Sequence, residues 1–303
     1  MAEQYWRLLS RSARTCFRPV ARRILLGLLS LLFTFPAFAQ SSEPRTVSFP
    51  SADGHTTLTG YLFPPAGRPK TAPAVVLLHG RGGVYLARAK GNYSSLTLAK
   101  GIRAWANLWA GQGYWVLVVD SFGSRGVPSG VAPGRTKPVD ELAVRPLDAY
   151  GALRYLRQSP RVRADRIGLE GWSTGADVAL TVLDRTLVPP TLTQNGRGFR
   201  IAIVMAPHCD ALSRLRSPYL PYAPVHIFVG GRGEGGSAAA AACEKAASQG
   251  RSRGGDIATT VFPAAASNFD DPVREHTASP ANIAAAAAAR QQAVSLIEAA
   301  LGH

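Results

Sequence analysis

The chain has 303 residues, of which 46% are hydrophobic, so it is long enough and apolar enough to bury one large core. Its formal net charge is +15, and the arginines after residue 39 are scattered rather than gathered in a stripe of basic and aromatic residues. That distribution argues against a nucleic-acid partner. No Cys/His spacing matches a metal site, and no cofactor is expected.

The first 39 residues have the organisation of a secretory signal peptide. Six arginines and one glutamate form a basic leader, residues 24–35 are an apolar run, and Ala37-Phe38-Ala39 supplies an A-x-A cleavage site before Gln40. The apolar run is too short for a comfortable transmembrane span. Arg22-Arg23 resembles a twin-arginine signal only faintly, so general export is favoured. We therefore expect a periplasmic or secreted protein whose residues 40–303 form one domain without a membrane anchor.

Strand-like and helix-like segments alternate along residues 40–303. Unbroken Val/Ile/Leu runs predict strands buried on both faces, and apolar residues at helical spacing predict the helices between them. In chain order, the predicted elements are a hairpin of strands 46–50 and 58–63, strand 74–78, helix 96–109, strand 114–119, helix 139–156, strand 166–170, helix 176–184, strands 201–205 and 225–229, helix 238–248, strand 258–262 and helix 281–301. This order predicts an α/β fold with a mostly parallel sheet and helices on both faces.

Residues 171–175 read Gly-Trp-Ser-Thr-Gly, a G-x-S-x-G box between a predicted strand and a predicted helix. This context is typical of a nucleophile elbow, in which a serine takes a strained backbone conformation. Gly171 and Gly175 fit this interpretation, because a side chain at either position would collide with a neighbouring strand or helix. We therefore predict that Ser173 is a nucleophile; the alternative is a Gly/Ser turn with no catalytic role.

Four segments extend the pattern beyond the box. They are residues 76–83 (VLLHGRGG), 120–126 (DSFGSRG), 148–153 (DAYGAL) and the box itself. On these segments the chain resembles the dienelactone hydrolase family of α/β-hydrolases, especially its exported members, over about residues 46–301. The resemblance implies an α/β-hydrolase fold and hydrolysis of a small ester or lactone. The family's type member uses a cysteine nucleophile, whereas this sequence carries Ser173, as many relatives do.

Acyl transfer to a serine also needs an oxyanion hole, a base and an acid that orients the base. The hole is expected from the backbone N–H groups of Thr174 and Arg81. The acid is expected after strand 225–229, where relatives carry an aspartate. The only acidic residue there is Glu234, in a glycine-rich stretch, so Glu234 is either the triad acid or a solvated loop carboxylate.

The base is missing from its usual place. Relatives end the last strand with a stretch like Y-P-G-A-x-H-x-F-D, and the matching residues 262–270 read FPAAASNFD, with Ser267 in place of the histidine. A serine hydroxyl does not act as a base near neutral pH. His276, in the loop before the final helix, and His208, after strand 201–205, remain as candidate bases; a chain in which neither acts as base stays open. His79 is expected to have a structural role.

Cys209 and Cys243 follow neighbouring predicted strands at the same edge of the sheet. Because export brings oxidising conditions, we predict a disulfide between them, with two unpaired thiols as the alternative. The function favoured by the sequence is an exported serine hydrolase of low activity, whose partner is a small ester or lactone substrate. The alternative is a non-catalytic descendant that binds a small ligand or an envelope partner.

Overall fold

The computed structural model describes residues 43–131, 140–187, 190–193, 198–209, 212, 219–233, 236–270 and 279–302. The predicted signal peptide, Glu234 and His276 lie outside these residues. Within the described ranges, no helix is long and apolar enough to cross a membrane. The same ranges contain no group of three or more His, Cys, Asp or Glu side chains that could hold a metal ion.

Strands and helices alternate along the described chain. The strands are β1 (Arg45–Pro50), β2 (Thr57–Phe63), β3 (Ala72–Leu78), β4 (Trp115–Asp120), β5 (Val162–Trp172), β6 (Ala202–Met205), β7 (Val225–Arg232) and β8 (Ile257–Ala266). The α-helices are α1 (Lys100–Gly111), α2 (Glu141–Gln158), α3 (Thr174–Leu183), α4 (Pro190–Thr193), α5 (Gly236–Arg251) and α6 (Pro280–Leu301). Short 3-10 helices occupy Ser95–Thr97 and Gly123–Arg125.

The eight strands form one sheet in the order β1-β2-β4-β3-β5-β6-β7-β8. β2 runs antiparallel to both β1 and β4, and the remaining neighbours are parallel. Every residue of β3 and β4 is buried, as expected for central strands that are covered on both faces. The mostly parallel α/β sheet predicted from the sequence is therefore confirmed.

The core has two layers, one on each face of the sheet. Along β3, Val76 and Leu78 face the layer built with α2, α3 and α5, whereas Val75 and Leu77 face the layer built with α1 and α6. This alternation is the two-residue period of a strand. It explains why β3 reads as an unbroken apolar run.

All the predicted strands and helices are present, with different boundaries. The predicted helix 96–109 divides into the 3-10 turn Ser95–Thr97 and α1, because Leu98 and Ala99 have ψ values of 139°. β8 continues past Pro263 to Ala266, although the sequence interpretation ended it at 262. As β8 is an edge strand, a proline can sit in it without removing a ladder hydrogen bond.

Cys209 and Cys243 form the predicted disulfide, with their Cα atoms 5.1 Å apart. Cys209 lies in the segment after β6, and Cys243 lies in α5, which follows β7. Both residues are buried. The bond therefore ties the carboxyl edge of β6 to the helix layer on one face of the sheet.

Replacing both cysteines (Cys209→Ala with Cys243→Ala) should lower the free energy of unfolding by about 3–4 kcal/mol, because the bond closes a loop with a sequence separation of 34. Urea unfolding with and without reductant measures this loss. Reductant should destabilise the wild type and leave the double variant unchanged. Equal stability of the two proteins without reductant would contradict a stabilising cross-link.

Candidate active site

Ser173 occupies a sharp turn between the end of β5 and the start of α3. Its φ of 52° and ψ of −121° lie in a region that residues other than glycine rarely adopt, so the backbone is strained there. The Ser173 N–H donates to the Met205 carbonyl over 2.9 Å, and the Ser173 carbonyl accepts from the N–H groups of Ala176 (2.9 Å) and Asp177 (3.1 Å). These bonds hold Ser173 at the carboxyl edge of the sheet.

The turn is packed so closely against the end of β3 that side chains are excluded. A Cβ atom added at Gly175 would overlap the carbonyl oxygens of Leu78 and His79, and one added at Gly171 would overlap the Gly175 carbonyl. A Cβ atom at Gly80 would lie 3.3 Å from the Ser173 Cβ. The two glycines of the box are therefore required by contact, as the sequence suggested.

Two backbone N–H groups near Ser173 have no acceptor among the described residues, those of Thr174 and Arg81. Thr174 is the first residue of α3, where helix N–H groups are free. Arg81 follows Gly80, and its carbonyl accepts from the Val131 N–H over 2.8 Å, which fixes the loop. These are the two N–H groups predicted to form the oxyanion hole, and that role stays a prediction.

A fully buried arginine, Arg145 of α2, contacts both the turn and the end of β3. Its guanidinium donates to Glu141 Oε2 over 3.0 Å, to Thr174 Oγ1 over 3.4 Å and to the His79 carbonyl. Desolvation lowers the pKa of Arg145, and the Glu141 carboxylate opposes this change. Arg145 therefore connects α2 to the residue after Ser173 and to the end of β3.

His79 is buried in the same region and uses both ring nitrogens structurally. Nδ1 lies 2.7 Å from the Gly80 carbonyl oxygen, and Nε2 accepts from the Ser121 N–H over 3.3 Å. Burial and the positive charge of Arg145 hold its pKa well below the ordinary value. His79 is thus a neutral packing residue, as the sequence interpretation expected.

A second histidine, His208, lies in the segment after β6 and pairs with Asp177. Its Nδ1 is 2.7 Å from Asp177 Oδ2, and its backbone N–H donates to Asp177 Oδ1 over 2.9 Å. The His208 side chain is 57% exposed, whereas that of Asp177 is 9% exposed. Sequence reasoning named His208 but missed Asp177, whose only signal was its position four residues after Ser173.

Neither a family model nor a curated protein matches the sequence. Solved structures do match, including dienelactone hydrolase from Anabaena variabilis ATCC 29413 (TM-score 0.57, 20% identity, 86% of this chain and 100% of that chain). A dienelactone hydrolase-like promiscuous phosphotriesterase from metagenomic libraries matches with a TM-score of 0.61 and 16% identity, over 86% of this chain and 98% of that chain. Thermogutta terrifontis esterase 2, phosphorylated by paraoxon, matches with a TM-score of 0.58 and 18% identity, over 86% of this chain and 95% of that chain.

The chain has an α/β-hydrolase fold. At these identities the likeness concerns the fold alone, and it agrees with the fold implied by the four sequence segments. Ser173, Thr174 and Arg81 come together at the carboxyl edge of the sheet of this α/β-hydrolase fold. The predicted acid Glu234 and base His276 lie outside the described residues, so their roles stay predictions. Ser267 follows directly after β8, beside Ala266, whose N–H donates to Asn282 Oδ1 over 2.9 Å.

A buried polar cluster lies beside β5 on the face of the sheet that α1 and α6 cover. Glu170 is fully buried and accepts from the indole of Trp109. Asp270 accepts from Trp105 Nε1 over 2.7 Å and from Arg290 over 2.8 Å. Burial raises the pKa of Glu170 well above its ordinary value, and the nearby Asp270 adds to the rise.

The contact at Gly175 can be tested with a matched pair of helix glycines. Gly175→Ala should destabilise the fold by at least about 2 kcal/mol, because the new methyl group overlaps backbone atoms that cannot move independently. Gly111→Ala, in α1, should be neutral or stabilising by up to about 1 kcal/mol, because a Cβ there meets nothing within 4 Å. Urea unfolding of both variants is the measurement. Equal effects would show that the contact does not constrain the turn.

The buried cluster around Glu170 predicts that the free energy of unfolding depends on pH. A carboxyl of an unfolded chain ionises at about pH 4.3, whereas burial raises the pKa of folded Glu170 well above its ordinary value, so the contribution of Glu170 to stability falls as pH rises above about 4. Glu170→Gln keeps an acceptor for Trp109 and cannot ionise. The free energy of unfolding of Glu170→Gln minus that of the wild type should therefore increase between pH 5 and pH 8, by up to about 1.4 kcal/mol per pH unit.

Urea unfolding across that pH range measures the difference. Glu244→Gln, on the exposed surface of α5, is the control and should leave the pH dependence unchanged. A difference between wild type and Glu170→Gln that does not vary with pH would contradict a protonated Glu170.

Proposed function

We propose that the chain hydrolyses a small carboxylic ester or lactone through an acyl intermediate on Ser173. The observation that carries the proposal is the strained strand-to-helix turn at Ser173, next to two N–H groups that find no acceptor in the part of the chain that the structure describes. The fold supports it, because solved structures with this fold include a dienelactone hydrolase and an esterase. The proposal also includes export, on the basis of the leader in residues 1–39 and of the buried disulfide.

In the proposed reaction, Ser173 Oγ attacks the substrate carbonyl carbon while its proton passes to a base. The N–H groups of Thr174 and Arg81 donate to the oxyanion of the tetrahedral intermediate. The alkoxide leaves with the proton that the base returns, which gives the acyl-serine. Water then attacks the acyl group by the same steps in reverse, and the carboxylic acid is released.

Two histidines are candidates for the base: His276, with Glu234 as its acid, and His208. Ser267 stands where relatives carry their histidine, so we expect slower turnover of simple aryl esters than the roughly 10 per second typical of enzymes. The same substitution favours a second candidate function, a non-catalytic protein of this fold that binds a small ligand or an envelope partner.

Labelling with a fluorophosphonate probe separates these functions, because only an activated serine reacts. The wild type should form a covalent adduct that peptide mass spectrometry places on Ser173, and Ser173→Ala should not be labelled. Ser267→Ala, which removes another serine at the carboxyl edge, should be labelled like the wild type. A folded wild type that resists labelling, or a Ser173→Ala variant that is still labelled, would contradict the proposed function.

A further inference from the structure

We propose that His208, oriented by Asp177, is the general base that activates Ser173 in this chain. This inference rests on the proposed function and assigns one step of it. It places the base after β6, rather than after β8, where Ser267 stands in the histidine's usual position. Three features of the described residues support it: proximity, orientation and the rigidity of the segment that carries His208.

Proximity follows from the sheet register and from α3. Trp172 of β5 pairs with Met205 of β6, and the Ser173 N–H donates to the Met205 carbonyl over 2.9 Å. His208 comes three residues after Met205 at the same edge. The Asp177 N–H donates to the Ser173 carbonyl over 3.1 Å, so the carboxylate that binds His208 lies one helical turn from the serine.

Orientation follows from the two contacts of the Asp177 carboxylate. Oδ1 accepts from the His208 backbone N–H, and Oδ2 lies 2.7 Å from Nδ1 of the ring. In the proposed step Nδ1 donates to Asp177, and Nε2 is the basic nitrogen. This is the tautomer that a serine hydrolase base requires, with a carboxylate placed to stabilise the imidazolium.

The segment that carries His208 is fixed on both sides. Ala206 and Cys209 have φ values of 52° and 55°, a conformation that costs free energy unless the surroundings impose it. The Ala206 N–H donates to the Phe228 carbonyl of β7 over 2.8 Å, and Cys209 is bonded to Cys243. The bond to β7 and the disulfide hold His208 at a defined position, and such strained backbone concentrates at functional sites.

The other described histidines are less well placed to act as a base for Ser173. His79 uses both ring nitrogens in the core. His226 lies on β7 with Nε2 2.8 Å from Thr260 Oγ1, and burial lowers its pKa. His55 is in the β1–β2 turn, three strands away from β5 in the sheet order. Within the described ranges, His208 is therefore the histidine best placed to serve Ser173.

The proton balance of the step is simple. His208 Nε2 takes the Oγ proton as the bond from Oγ to the carbonyl carbon forms, and the resulting imidazolium is paired with Asp177. It gives that proton to the leaving alkoxide oxygen as the ester C–O bond breaks. In deacylation, Nε2 takes a proton from water and returns it to Oγ.

The test compares fluorophosphonate labelling rates of the wild type, His208→Ala, His208→Gln and Asp177→Asn. His208→Gln keeps an N–H donor for Asp177 but has no basic nitrogen, so it separates catalysis from folding. Both His208 variants should be labelled at least about 100-fold more slowly than the wild type. Added imidazole should partly restore labelling of His208→Ala, which a purely structural role would not produce. Asp177→Asn should also be slowed, with its circular dichroism spectrum unchanged.

His55→Ala is the matched control, because His55 is also exposed and its Nε2 lies 3.6 Å from Asp53 Oδ2. It should be labelled at the wild-type rate. Wild-type labelling of His208→Gln would overturn the inference and leave the proposed function intact, with His276 as the remaining base. A wild type that is not labelled would overturn both.

Discussion

The contact between the start of α3 and the end of β3 sets the geometry of everything around Ser173. Because Gly175 has no side chain, α3 approaches the carbonyl oxygens of Leu78 and His79 at backbone distance. At the same turn, Ser173 has a φ of 52° and a ψ of −121°, and a Cβ atom at Gly80 would lie 3.3 Å from the Ser173 Cβ. Among the described residues the N–H groups of Thr174 and Arg81 have no acceptor; Thr174 begins α3, and Arg81 follows Gly80.

Burying the polar groups around this contact costs free energy, and the hydrogen bonds that they make offset this cost. Arg145 and Glu141 are both buried, and burying a charge is repaid only when its hydrogen bonds are made. Their pairing supplies bonds to Thr174 and His79 that a hydrophobic substitute could not make. On the other face, burial raises the pKa of Glu170 well above its ordinary value, which favours its uncharged form.

The sequence was sufficient where the signal is local and insufficient where it depends on tertiary contacts. The Val/Ile/Leu runs predicted the strands, and the glycine spacing around Ser173 predicted the turn. The disulfide followed from the order of two strands. Arg145 was missed because one arginine in a helical pattern reads as a solvated residue. The pairing of Asp177 with His208 was also missed, because 31 residues separate them and only the register of β5 and β6 brings them together.

A crystal structure of the chain after reaction with a fluorophosphonate would test the central claim most directly. The central claim is that the turn presents Ser173 to an ester beside a preformed oxyanion hole. The phosphorus should be bonded to Ser173 Oγ, with the phosphonyl oxygen about 2.7–3.1 Å from the backbone nitrogens of Thr174 and Arg81. A phosphonyl oxygen directed away from both nitrogens, or an adduct on another residue, would contradict it.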